Sequence, residues 1–496
     1  MADPIAETPG YADELIEGGF AVEVADAPLL HEGLNIADVA HVLVLRDQGI
    51  VPEVAARRLL AALLEATRTP ASVFGYDPVY GEAYNCRERR FTQEIGRDAG
   101  WLHAGRPRRE AVRIALRLRL RRDAVGLIEA AAGFAQAASE LAAEHAETFM
   151  AEQTYLQHAQ PSTFGHYLLS FAYPARREID RLVEYLAWVN RSPGGAGGVN
   201  GSRLTGGRDR IAALLGFDGV IEHTRDAMWQ SDGLIGLVGT AAGLVTTLAK
   251  LAEDLEIWSS SEFGYVSLAD RHTRSSVLMP QKRNPYALTM VRGEAGILIG
   301  RLTGMLAISK SPSARSDNLI FAYGEVPRSL ELASRATRLM AGVVGGLTVD
   351  DDRMYAALES GFSQAADLAE YVMTSTGLDY RTAYQLVGDC VRRAAGEGLR
   401  GVDITGAMLD ESAVRTAGES SGLAGRDLCE VLDPRAIVRT RVTKGGAAPD
   451  LVRGMAKECL AAAHSAAAAA RRRRAAFDDV EAALLATAHE LCGGAP

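Results

Sequence analysis

Between Thr273 and Pro285 the chain reads Thr-Arg-Ser-Ser-Val-Leu-Met-Pro-Gln-Lys-Arg-Asn-Pro. Two hydroxyls (Ser275, Ser276), a cation (Lys282) and an amide (Asn284) fall together, with Pro280 interrupting regular structure between them. Asn284 followed by Pro285 predicts a helix start, with Asn284 as the N-cap and proline in the first turn. From Tyr286 the chain runs on through several apolar turns without a proline. Unpaired N–H groups and the positive end of the helix dipole then lie beside Lys282 and Asn284, which makes a carboxylate site. A flexible loop there brings a serine hydroxyl over the bound anion. By local chemistry alone, a surface loop with a good helix cap reads the same way.

Two more polar turns carry chemistry. Residues 103–110 hold Arg106, Arg108 and Arg109 around Pro107, a guanidinium cluster that either salt-bridges the protein to itself or receives a multiply charged anion. Residues 153–161 contain Thr154-Tyr-Leu-Gln-His-Ala-Gln-Pro, with Thr154, Tyr155 and Gln157 in sequence. Arginines, a Thr/Gln pair and a Ser/Lys/Asn loop together suit a dicarboxylate. The turns are too far apart to meet locally, but loops from different subunits of an elongated bundle converge. No glycine-rich nucleotide fingerprint and no HExxH occurs, and the ten histidines do not cluster at ligand spacing, so neither metal nor cofactor is expected.

These turns need long helices to position them, and the composition supplies helix formers. Alanine, leucine, arginine and glutamate dominate while aromatics are only 6%, which points to a mostly α protein. Apolar residues at three- and four-residue spacing (Val112, Ala115, Leu116, Leu120, Val125, Ile128) predict one helix from Glu110 to Glu152. Others are expected over 154–192, 231–260, 285–309 and 328–345, with shorter ones over 366–376 and 382–396 and a last one over 451–488. Near the start, a pair runs from Ile36 to Leu64 around the Gln48–Gly49 turn. Residues 1–30 are weakly patterned and read as a surface arm. The expected organisation is an N-terminal helical domain (1–109), a central long-helix bundle (110–349) and a smaller C-terminal helical domain (350–496). Helices this long expect partner subunits to bury them.

With 53 Lys+Arg against 63 Asp+Glu, the net charge of −10 gives no support for nucleic-acid binding. Five widely spaced cysteines without a CxxC pair indicate a reduced compartment. No signal-like segment or long uncharged apolar run is present, so no membrane association and a cytoplasmic location are expected.

The run Ser275-Ser-Val-Leu-Met-Pro-Gln-Lys-Arg-Asn-Pro285 resembles Gly-Ser-Ser-x-Met-Pro-x-Lys-x-Asn-Pro, the signature of the fumarase/aspartase superfamily. Leu102-His-Ala-Gly-Arg-Pro-Arg-Arg, Thr154-Tyr-Leu-Gln-His-Ala-Gln-Pro, Glu256-Ile-Trp-Ser-Ser-Ser-Glu-Phe-Gly-Tyr, Leu432-Asp-Pro and Gly445-Gly-Ala-Ala-Pro are similar to its argininosuccinate lyase branch. The resemblance implies an all-α homotetramer with a twenty-helix core and sites built from three chains. It also implies an anti β-elimination that releases fumarate. Ser276 then matches the base, and Lys282, Asn284 and loop amides stabilise the dianion formed when the proton beside a carboxylate is removed. Ser275, Thr154, Gln157, Arg108 and Arg109 fall at substrate-binding positions.

Several positions depart from the pattern. The signature's first glycine and second serine are Ser275 and Val277; the family's His–Glu pair is Tyr155 and Thr289. Glu82 and Tyr84 replace an aspartate and a histidine, and Pro107-Arg108-Arg109 replaces a Ser-Arg-Asn turn. No match for the arginine-holding glutamine and lysine is found over Ser311–Pro327. Tyr155 becomes the candidate proton donor to the leaving amine, with His158 its rival. These changes predict a C–N lyase acting on an N-substituted aspartate other than argininosuccinate, with Arg109 meeting an additional negative charge. The alternatives are a true argininosuccinate lyase, a non-catalytic tetramer of this fold, or a leaving group other than an amine.

Overall fold

The residues described in this computed structural model are 10–204, 207–311 and 316–493. Short helical runs Asp13–Leu15, Ile16–Phe20 and Ala21–Ala25 lead into α1 (Ala27–Asp47) and α2 (Glu53–Arg68). Helix α1 begins before the Ile36 periodicity because Leu30, His31 and Leu34 are already buried. There follow α3 (Ala83–Ile95), α4 (Arg108–Glu144), a hairpin of β1 (Phe149–Thr154) and β2 (Gln157–Thr163), α5 (Phe164–Val189), α6 (Asp232–Trp258), α7 (Tyr286–Ser309) and α8 (Ile320–Val344). The chain continues through α9 (Asp351–Ser360), α10 (Ala365–Thr376), α11 (Tyr380–Gly396) and α12 (Gly406–Ala417) to α13 (Pro449–Leu491).

The fold is all-α and multi-domain. Helix α4 is its spine: it packs on α5, α8, α13 and α1, while α6 packs on α7, α8 and α5. Residues such as Leu120, Ala124, Leu127, Ala131 and Phe134 bury the α4 faces completely. Helix α6 has a mean hydropathy of 1.7 over its most apolar window, enough for a membrane span by composition, yet Leu237, Val238, Leu244, Leu248 and Leu251 are buried inside the bundle. A separate apolar cluster joins Leu368, Leu386, Leu409 and Leu432. Helix α13 does not stay with it: Val452, Ala456, Cys459 and Phe477 enter the main core.

Two helix ends depart from expectation. Helix α8 starts at Ile320 and runs through Pro327, not from Arg328; burial of Ala322, Tyr323, Val326 and Leu330 outweighs the hydrogen bond that proline removes. Helix α4 ends at Glu144 instead of Glu152, and α5 begins at Phe164 rather than at Thr154. The intervening segment is the hairpin. Thr163 closes it and caps α5, its hydroxyl accepting from His166 N–H at 3.1 Å. Gly165 sits against the end of α4, where a Cβ would overlap the Ala142 carbonyl.

Candidate active site

The loop preceding α7 is clipped at its base. Arg274 pairs with Asn284 and Ser275 with Arg283 in a two-residue antiparallel ladder. Asn284 therefore does not cap α7 as the sequence predicts. Its amide turns back and donates to the Arg274 carbonyl at 2.9 Å, while Pro285 occupies the N-cap. Arg283 fixes the same base by donating to the Leu268 carbonyl at 3.0 Å and to Asp270 at 2.5 Å. Inside the clip, Ser276 Oγ accepts from Leu278 N–H at 3.2 Å and from Met279 N–H at 3.0 Å. Two backbone donors on one hydroxyl oxygen favour its deprotonated form. Ser275 and Lys282 are exposed beside it. Val277 is fully exposed, and Leu278 and Met279 are also open to solvent, leaving an apolar loop surface uncovered by its own chain.

The hairpin carries the second group. Thr154 pairs directly with Gln157, so Tyr155 and Leu156 form a two-residue turn with φ of 56° and 58°. Such a turn normally holds Asn or Gly, because side chains larger than these crowd the backbone at positive φ. A tyrosine and a leucine are held there instead, and Tyr155 is 98% exposed. Thr154, Gln157 and His158 are exposed on the same tip.

The arginine turn resolves into two roles. Asp38, on α1, is fully buried and receives Arg87 at 2.6 Å and Arg106 at 2.5 Å, with the Tyr84 hydroxyl donating at 2.8 Å. Burial opposes the charge on Asp38, but Arg106 and Arg87 outweigh it and hold the carboxyl below its usual range. Arg106 and Tyr84 therefore belong to an internal ion-pair network that locks α3 and the α4 approach onto α1. Arg109 is likewise engaged within the chain: it reaches Glu23 and Glu82 at 2.9 Å each and Asp317 at 3.0 Å. Arg108 pairs with Glu82 at 3.1 Å and donates to Asn85. Burial raises the Glu82 carboxyl above its usual range against the pull of Arg109 and Arg108, and neighbouring Glu23 pushes the same way. Nothing in the sequence marks Glu23 or Asp317 as partners, since they lie far away on a weakly patterned arm and an interhelical link. The span Ser311–Pro327, in which no arginine-holding glutamine and lysine are expected, includes 312–315, outside the described residues.

Among the described residues no hydrogen bond or ion pair joins these three groups. The Ser276 loop precedes α7, and Asp317, which touches Arg109, follows it; α7 itself has 24 residues, a length of about 36 Å.

Residues 73–300 match a family model described as lyase, and residues 362–439 one described as argininosuccinate lyase C-terminal. The argininosuccinate lyase of Methanosarcina mazei is 33% identical over 418 residues, covering 84% of each chain. That of Methanoculleus marisnigri is 34% identical over 429 residues, covering 85% of each. Among solved structures, EDDS lyase in complex with formate superposes with a TM-score of 0.86 at 27% identity, over 99% of this chain and 97% of that one. A variant of EDDS lyase with bound fumarate gives 0.87 at 27%, over 98% and 97%. Class II fumarase from Schistosoma mansoni, at 14% identity and a TM-score of 0.70 over 87% and 95%, shares the fold.

The expectation of a substrate other than argininosuccinate is overturned by the curated relatives, which carry the name argininosuccinate lyase across more than four fifths of the chain. The physical fault lies with Arg109. An unpaired guanidinium would ask for an extra substrate charge, but this one already faces three carboxylates of its own chain. The chain belongs to the fumarase/aspartase superfamily, in its argininosuccinate lyase-like branch, and is a carbon–nitrogen lyase.

Proposed function

We propose that this lyase cleaves argininosuccinate by anti β-elimination, releasing fumarate and arginine. The observation that carries the reading is the match to argininosuccinate lyases at 33% identity over 84% of both chains. Ser276 removes the proton from the carbon beside a succinyl carboxylate. The C–N bond on the neighbouring carbon then breaks, and the departing guanidino nitrogen takes a proton. Because that carbon acid is weak, most of the barrier falls by stabilising the dianionic intermediate, and Lys282, Asn284 and the loop amides are assigned to it. Ser275, Thr154 and Gln157 are assigned to the substrate, and Tyr155 to proton delivery, with His158 close by at the start of β2. Arg108 and Arg109 shape the substrate corner with their charge already balanced.

The assembly is part of the proposal. Within one chain the Ser276 loop and the Arg109 corner are separated by the length of α7, so a site containing both draws on more than one chain. The exposed surface of α7 supports this. Tyr286, Met290 and Ile297 on one side of α7, and Ile299 and Leu306 on the other, are 37–53% exposed, so the helix is left apolar on two sides, with Val277 and Leu278 exposed on the loop before it. A homotetramer with sites from three chains covers both sides and joins the three groups. Segments 1–109, 110–349 and 350–496 are proposed as its structural units, the last lending α13 to the main core, and the cytoplasm as its location.

The test is a direct assay. Purified protein incubated with argininosuccinate is expected to produce fumarate, followed by ultraviolet absorbance, with arginine in equal amount. Absence of both products, with the oligomer intact, overturns the substrate assignment.

A further inference from the structure

We propose that the N-terminal arm, residues 10–26, is a positioning strap that sets how tightly the Arg109 corner holds substrate while leaving the chemical step untouched. The inference rests on the reading of that corner as part of the substrate site.

Residues Asp13 to Ala25 contribute no fully buried side chain, so core packing does not decide where the arm lies. Two acidic residues fasten it instead, each to an arginine on a different helix. Glu23 reaches Arg109 on α4 at 2.9 Å. Asp26, itself nearly buried, accepts from Arg328 on α8 at 2.6 Å, and Glu325 holds the other side of that guanidinium at 2.7 Å. The α8 backbone is shaped to receive the second clasp. A Cβ at Gly324 would overlap both the Asp26 carboxylate and the Arg328 guanidinium, so the pair fits only over a glycine.

The arm also touches the substrate corner. The ring of Tyr11 packs on Phe20 with centroids 4.6 Å apart and lies 3.5 Å from where a Cβ at Gly81 would sit, immediately before Glu82. Arg109 thus gathers three separate segments at one guanidinium: the arm through Glu23, the start of α3 through Glu82, and the α7–α8 link through Asp317. Removing Glu23 leaves Arg109 charged and still paired twice, but releases the arm from the corner. Losing the Asp26 clasp, three residues on, loosens the arm where it joins α1. The strap therefore acts through Arg109 and the link it pins, and no residue of the arm is assigned to the reacting atoms.

The experiment compares wild type with Glu23→Gln, Asp26→Asn and Gly324→Ala. Three readouts are taken: the kcat and KM for argininosuccinate, fumarate affinity by calorimetry, and hydrogen exchange of residues 10–26. Each variant is expected to speed exchange in the arm and to raise KM and the fumarate Kd about fivefold, the effect of losing one part-buried ion pair, at unchanged kcat. Glu23→Asp is expected to recover part of the loss. Melting temperature and oligomer size report any variant that misfolds, and Glu23→Gln, the mildest change, then carries the comparison alone. Faster exchange with unchanged KM and Kd overturns the proposal, as does a fall in kcat alone. A wild type inactive on argininosuccinate that still binds fumarate would sink the substrate reading, and the calorimetric arm would still judge the strap.

Discussion

Ser276→Ala is expected to lower turnover of argininosuccinate by roughly 10²–10⁴-fold, the range for losing a positioned base, with substrate binding nearly unchanged. The hydroxyl is small, partly exposed and, among the described residues, tied to the exposed N–H groups of Leu278 and Met279 at 3.2 and 3.0 Å, so its removal strands no buried partner there. The clip at Arg274–Ser275 and Arg283–Asn284 does not depend on it. Stability and oligomeric state should therefore match wild type. Steady-state rates together with fumarate calorimetry separate the two effects. A variant retaining more than a tenth of wild-type turnover would remove Ser276 from the base role.

The hairpin tip yields the second large effect, and there stability and activity are expected to move in opposite directions. Tyr155 and Leu156 both occupy left-handed backbone, at about 1–2 kcal/mol each. Leu156→Asn relieves one of these strains without glycine's unfolded-state entropy, and Leu156 is 51% exposed, so little burial is lost. A rise in melting temperature is expected, with weaker substrate handling. Tyr155→Phe leaves the strain as it is and deletes only the hydroxyl. If that hydroxyl delivers the proton to the leaving nitrogen, kcat falls by about 10²–10⁴-fold while fumarate affinity survives. Unchanged rates in Tyr155→Phe would pass the role to His158.

Much of this architecture is legible in the sequence because helices announce themselves by spacing. Val112, Ala115, Leu116 and Leu120 mark α4, and the α6 and α7 ranges predicted from pattern differ from the observed ones by only a residue or two. The hairpin is not legible. Its strands are rich in Gln and Thr, it lacks clean alternation, and its turn carries neither Asn nor Gly, so the local code reads as a helix entry. Asn284 before Pro285 reads as a cap for the same reason: sequence proximity favours the helix, while the ladder to Arg274 is settled only by the loop closing. Polar residues that act locally, such as Ser276 and Lys282, are conspicuous in the sequence. Charges balanced at long range are not, and Arg109 is the instructive case. Read alone it asks for an anion, and only the fold brings Glu23, Glu82 and Asp317 to it.

The Ser276 loop of one chain and the Tyr155 hairpin of another are proposed to form a single site, and subunit mixing tests this most directly. Ser276→Ala and Tyr155→Phe proteins, each nearly inactive alone, are dissociated together and reassembled, with hybrid formation followed by mass. If the two residues come from different chains, some sites in each hybrid carry both native side chains, and fumarate release should recover well above either parent. Hybrids that form and remain as inactive as their parents would contradict the shared-site account.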